Sequence, residues 1–131
     1  MKVRKELTVA LENKPGALGH LCSCLAEKKI NILALSVHES AEVGIVRLVV
    51  DQPAEATKLL RAGRPLTVNS TDVLELAAPN KPGVLAAIAW KLGAKKINIE
   101  YVYGTTARGG KAGIILKASN LKKAAKALKG F

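Results

Sequence analysis

Apolar and polar positions alternate at the start of the chain. In the stretch 5–11, Leu7, Val9 and Leu11 share one face, with polar or small residues between them, which predicts a half-buried strand. The period then changes. Leu18, Leu21, Cys22 and Leu25 recur at i, i+3, i+4 and i+7, the apolar stripe of a helix that ends near Lys28 and Lys29. Lysines at that end suit the negative pole of the helix dipole. Between strand and helix, residues 12–16 read Glu-Asn-Lys-Pro-Gly, a turn whose Pro15 suits the first helical position. β-Branched runs at 32–38 and 43–50 predict two strands joined by a short hairpin at 39–42. Pro53 opens a second helix with Ala56, Leu59 and Leu60 inward and Gly63 as its stop. Strand-like pieces at 66–68 and 73–77 then flank a polar bend at 69–72.

The pattern is written twice. Residues 13–32 read NKPGALGHLCSCLAEKKINI and residues 80–99 read NKPGVLAAIAWKLGAKKINI; at a spacing of 67, eleven of twenty positions are identical. This internal duplication fixes the architecture before any finer reading. Leu85, Ile88, Ala89 and Leu92 repeat the helix stripe. Strands follow at 98–103 and 112–118, joined by a Gly-rich loop at 104–111 that reads as a flexible hairpin two residues longer than its counterpart, and 121–128 is a lysine-faced helix. Each unit therefore reads β-α-β-β-α-β, the ferredoxin-like arrangement: an α+β fold of antiparallel sheets with helices on one face. The expected domains are 1–70 and 71–131. The second copy stops straight after its helix. Its last strand is missing, so some other segment must cover that sheet edge.

Size and charge refine this picture. Units of about 65 residues bury a limited fraction of their surface, so the halves are expected to pack together and the chain to form a homodimer. No apolar run approaches the ~20 residues of a membrane span. The N-terminal segment carries charges but no apolar stretch of the secretory kind, which points to the cytoplasm. Cys22 and Cys24, two apart on a helix, face different ways and read as free thiols. Net charge is +11 and uneven: residues 1–64 carry 10 basic and 7 acidic side chains, residues 65–131 carry 11 and 3. That excess makes nucleic acid or an acidic partner worth testing. Against nucleic acid stand an aromatic content of 3% and the lack of a basic-Gly-aromatic run around Tyr101 and Tyr103, which read as packing residues. Trp90 reads as an amphipathic interface residue. Residues 104–111 miss the phosphate-loop pattern, having Ala112 where Ser or Thr is needed. His20 and His38 read as lone histidines without a cysteine or carboxylate at ligand spacing. No nucleophile–base set, carboxylate pair or metal cluster stands out, so neither catalysis, a metal nor a cofactor is expected.

The candidate chemistry lies in the repeated loop. Asn-Lys-Pro-Gly joins a strand to a helix start, where unpaired backbone N–H groups and the positive dipole end suit a carboxylate. The donors are those around Gly16, Ala17 and Leu18, and around Gly83, Val84 and Leu85. Asn13 and Asn80 offer an acceptor for an ammonium group and a donor for a carboxylate. An amino acid's head group needs both. Asn31 and Asn98, each inside Ile-Asn-Ile, open the following strand and contribute at its mouth. The plain alternative is that the loop only shapes the turn and caps the helix.

The order strand, Asn-Lys-Pro-Gly-x-Leu, helix, Lys-Lys-Ile-Asn-Ile, present twice, resembles the ACT domain. The tandem arrangement is similar to free-standing double-ACT proteins over nearly the whole chain. The resemblance implies a non-catalytic regulatory module that binds a small ligand, usually an amino acid, at an interface between paired domains. Such modules control metabolic enzymes or transcription, so a metabolic enzyme is an implied partner. In the serine-binding ACT domain of phosphoglycerate dehydrogenase, which the chain resembles, the ligand is held by the asparagine before x-Pro-Gly and by the asparagine of the next strand. The matching positions are Asn13 and Asn31 in one copy, Asn80 and Asn98 in the other. That family's histidine two residues before the loop asparagine is replaced by Leu11 and Ala78, so serine itself is not implied. The rival reading is a basic interaction module without an amino-acid ligand, resting on the charge of the second half and on Lys122, Lys123, Lys126 and Lys129.

Overall fold

The computed structural model describes residues 1–63, 67–106 and 110–131. The alternation of Leu7 and Val9 lies within a strand longer than the apolar pattern marks, β1 (Lys2–Glu12). It is followed by α1 (Ala17–Glu27), β2 (Ile32–Glu39), β3 (Val43–Val50), α2 (Pro53–Ala62) and β4 (Thr67–Pro79). The repeat continues with α3 (Val84–Ala94), β5 (Ile99–Thr106), β6 (Lys111–Ala118) and α4 (Leu121–Ala127). Strands and helices thus form an α+β fold of two ferredoxin-like units. No helix among the described residues is long and apolar enough to cross a membrane.

Two compact units emerge. One is Lys5–Thr71; the other joins Met1–Arg4 to Asp72–Phe131. In the first unit the strand order is β2-β3-β1-β4, with β2/β3 and β1/β3 antiparallel. In the second it is β1-β4-β6-β5, with β4/β6 and β5/β6 antiparallel. The edge left by the missing last strand is therefore covered by residues 2–4, the beginning of β1. Arg4 Nε donates to Glu75 Oε2 at 2.8 Å and pins that short piece in place. The polar bend expected at 69–72 is absent: β4 runs without a break through Asn69, Ser70, Thr71 and Asp72. Polar residues outside a core are compatible with a strand, and these sit where β4 passes from one unit to the next. Of the strand piece expected at 66–68, residue 66 lies outside the described residues, as do 107–109 of the Gly-rich loop.

Ten buried positions of the two cores correspond one to one. Leu7, Val9, Leu21, Leu25 and Ile30 correspond at a spacing of 67 to Leu74, Leu76, Ile88, Leu92 and Ile97; all ten are buried. After the hairpin the spacing becomes 68: Val46, Leu48, Val50, Ala56 and Leu60 correspond to Ile114, Leu116, Ala118, Ala124 and Leu128. The ladder pairs agree, Glu39 with Gly44 and Thr106 with Ala112. The second hairpin is hence one residue longer than the first, not two. The helix stripes are also narrower than the i, i+3, i+4, i+7 pattern indicates. Only Leu21 and Leu25, and Ile88 and Leu92, are buried on α1 and α3; Leu18 is 38% and Leu85 49% exposed. An eleven-residue helix seated on its sheet through one i, i+4 pair leaves its first turn outside the core.

Both helices end alike. Lys29 and Lys96 take positive φ, 56° and 58°, and Ile30 N and Ile97 N reach back to Leu25 O and Leu92 O at 3.0 Å. This is a six-to-one C-terminal closure that also buries the isoleucine against the core.

Candidate ligand site

Each Asn-Lys-Pro-Gly loop folds through the same set of backbone hydrogen bonds. Asn13 N donates to Glu42 O at 3.0 Å and Asn80 N to Gly110 O at 2.7 Å, tying each loop to its hairpin. Lys14 N and Lys81 N reach Glu12 O and Pro79 O at 3.0 and 3.1 Å, which makes the bend. The helices begin after a left-handed glycine, Gly16 at φ 85° and Gly83 at φ 91°. The prolines therefore stand two residues ahead of the helices and not at their first position. Among the described residues nothing lies within 4 Å of where a Cβ would stand on either glycine. The glycines are set by backbone conformation, with open space beside them.

Neither helix start has a side-chain cap or an acidic residue in its first turn. Ala17 N and Val84 N bond back to Lys14 O and Lys81 O at 3.3 and 3.5 Å. The next amides, of Leu18 and Leu85, belong to the orphan donors of a first helical turn. Asn13 and Asn80, three residues ahead of the glycines, do not cap them. The contrast is α4, where Asn120 Oδ1 accepts from Lys123 N at 3.0 Å. The Asn13 carboxamide instead donates from Nδ2 to Glu39 Oε2 and Ser40 O, both at 3.2 Å. It stitches the loop to the β2–β3 hairpin and leaves Oδ1 on an exposed face. Asn31 and Asn98 are exposed as well. Their backbones carry the interactions: Asn31 N to Asp51 Oδ1 at 3.0 Å and Asn98 N to Ser119 Oγ at 3.0 Å, answered by Asp51 N and Ser119 N to the asparagine carbonyls.

Beside the first loop lies a pocket of about 570 Å³. It is lined by the loop residues Glu12, Lys14, Pro15, Gly16 and Ala17, by Leu11, Leu21, Leu59 and Leu60, and by His20, Cys24 and Gly63. It lies along α1 and α2 of the first unit. Of the residues singled out in the first copy, Gly16 and Ala17 line it; Asn13, Leu18 and Asn31 do not. Lys14 Nζ and Glu12 Oε2 pair at 3.1 Å, both well exposed.

His20 and Cys24, which read separately as a lone histidine and a free thiol, come together on α1. Their i, i+4 spacing places them on one helix face, and Cys24 Sγ lies 3.8 Å from His20 Nε2. That spacing was visible in the sequence, and it corrects the reading of His20 as a histidine without a cysteine partner. Both cysteines are free thiols. Among the described residues no group of three or more His, Cys, Asp or Glu side chains is placed to hold a metal ion.

The helical layer of the second unit differs in charge. Residues 80–98 and 119–131 contain no Asp or Glu, while Lys81, Lys91, Lys95, Lys96, Lys122, Lys123, Lys126 and Lys129 are all exposed. Trp90, 79% exposed, stands among them.

Duplicated loops, duplicated cores and the ferredoxin-like units agree with a comparison against known families, in which residues 1–129 match the ACT domain pair. The chain belongs to this family. No curated protein sequence matches this ACT domain pair. Among solved structures, protein BT0572 from Bacteroides thetaiotaomicron is similar at 38% identity, covering 97% of this chain and 87% of that one, with a TM-score of 0.91. The regulatory subunit of aspartate kinase from Thermus thermophilus is similar at 16% identity, over 98% of this chain and 95% of that one, with a TM-score of 0.72. The aspartate kinase of Clostridium acetobutylicum matches at 16% identity over 96% of this chain and 32% of its own, with a TM-score of 0.62. The likeness to the two kinase structures is one of fold.

Proposed function

We propose that this ACT domain pair is a non-catalytic, amino-acid-binding regulatory protein of the cytoplasm, acting as a homodimer on a metabolic enzyme, with 1–70 and 71–131 as its two domains along the sequence and residues 1–4 lent to the second. The observation that carries the reading is the pocket beside Lys14–Ala17, open next to uncapped first-turn amides. A carboxylate at the α1 end of the pocket would lie close to the orphan amide of Leu18, just outside the lining, and to the positive end of the α1 dipole. The Oδ1 of Asn13 is available to the ammonium group. Asn31 belongs to the same copy, and Gly83, Val84, Leu85, Asn80 and Asn98 form the parallel set in the second. The fold shared with the regulatory subunit of aspartate kinase from Thermus thermophilus supports the regulatory part of the reading. Ligand binding would act by favouring one of two pre-existing arrangements of the protein.

A thermal-denaturation screen of the twenty amino acids tests this. At least one should raise the melting temperature at millimolar concentration, since a ligand that binds the folded state alone stabilises it. Asn13→Ala combined with Asn80→Ala should remove that rise while the protein still folds. Absence of any shift across the twenty would end the proposal.

A second reading is favoured by the acid-free, lysine-lined helical layer around Trp90: a surface for a polyanionic partner. The single tryptophan is its reporter. Titration with a single-stranded oligonucleotide should change Trp90 fluorescence, with affinity falling steeply as salt is raised, because phosphate contacts release counterions. A flat fluorescence trace at low salt rules this reading out.

A further inference from the structure

The first copy's pocket has a filled twin. At the spacing of 68 that follows the hairpin, Gly63 corresponds to Phe131: Gly63 N donates to Leu60 O and Phe131 N to Leu128 O, each at 3.1 Å. At the spacing of 67 along the preceding helix, Cys24 corresponds to Lys91. Gly63 and Cys24 both line the pocket of the first copy. In the second copy Phe131 packs against the core, and Lys91 Nζ lies over its ring, 4.9 Å from the centroid. The phenyl ring thus reaches from the end of α4 to the flank of α3, the place left open between α2 and α1.

We infer that the first copy's pocket receives the side chain of the bound amino acid, and that this side chain is large and apolar, of the leucine, methionine or phenylalanine class. The inference rests on the amino-acid reading above and assigns its substrate class and stoichiometry. The pocket and its twin carry it. The pocket runs from Ala17 to Cys24 along α1, roughly 10 Å of helix axis, so a head group held at the helix start sends its side chain between the helices. The walls there are leucines, which glycine or serine would leave wet and which would desolvate a charged side chain without a partner. His20 and Cys24 add a polarizable rim, suited to a ring or a thioether. In the twin, where the chain supplies its own occupant, that occupant is a phenyl ring under a lysine. Gly63 keeps the first copy open, and Phe131 closes the second, so one ligand binds per chain.

Calorimetric titration of the full chain with L-phenylalanine, L-leucine, L-methionine, glycine and L-serine tests this. The apolar three should include the ligand, bound once per chain, with glycine and serine weaker by about tenfold or more. Gly63→Phe should abolish binding. Gly63 has φ −92° and, among the described residues, its Cβ would meet Leu60 O and Leu59 O at 3.5 and 3.7 Å, ordinary contact distances, so the backbone accepts a side chain there. Cys24→Lys, which copies Lys91 on an accessible helix face, should weaken binding and serves as the check if Gly63→Phe unfolds. A preference for glycine or serine, or full affinity in both variants, overturns the inference while leaving amino-acid binding intact. Heat from none of these five, together with no melting shift from any of the twenty amino acids, overturns the underlying reading instead.

Discussion

Leu25→Ala is expected to lower the unfolding free energy by about 2–5 kcal/mol, and Leu92→Ala by a similar amount. The two leucines occupy equivalent positions, each fully buried at the centre of its own core. Each is the C-terminal member of the one i, i+4 pair that seats its helix on the sheet. Each also supplies the carbonyl that closes the helix through Ile30 or Ile97. Truncation removes several methylenes' worth of transfer energy and opens a cavity that the strands cannot fill by collapsing. Set against a typical stability of about 5–15 kcal/mol, either change should move the urea midpoint visibly. A loss below about 1 kcal/mol at either site would mean that helix and sheet are not packed there as described.

Gly16→Ala and Gly83→Ala should each cost about 1–2 kcal/mol, the penalty of left-handed backbone for a residue with a Cβ. Open space surrounds both positions, so the cost is conformational and not a clash. Gly19 provides the control. It lies inside α1, has no positive φ and meets nothing within 4 Å, so Gly19→Ala should stabilise by roughly 0.5–1 kcal/mol. Opposite signs at positions three residues apart would establish the left-handed helix entry. Equal effects at Gly16 and Gly19 would refute it.

Much of the fold was legible in the residues themselves. The repeated motif placed both helix openings, and the alternation at Leu7 and Val9 placed the sheet's inner face. What was not legible depended on pairings distant in the chain. Nothing local at Asn69–Asp72 distinguishes a polar bend from a strand crossing between two cores, because the deciding partner is β1. The stripe width on α1 was overread, since Leu18 has helical periodicity but no sheet beneath its turn. The hairpin count failed because the apolar pattern does not mark where a ladder ends. In the candidate site, the loop and its glycines could be found from sequence, whereas the pocket could not. It depends on Leu59, Leu60 and Gly63 arriving from a different helix. The asparagines also look different in three dimensions: Asn13 commits its amide protons to the hairpin, which the sequence does not show. The asymmetry between Gly63 and Phe131 is legible only after the one-residue offset of the second hairpin is known.

Residues 1–4 serve the later of the two units. Until residues 72–131 have emerged, the start of β1 has no strand to border in its own unit, and a fragment limited to those residues would carry an unguarded β4 edge. The ancestral copies are consequently no longer separable modules. Cleavage of the chain between the two copies would strip the later copy of its border strand.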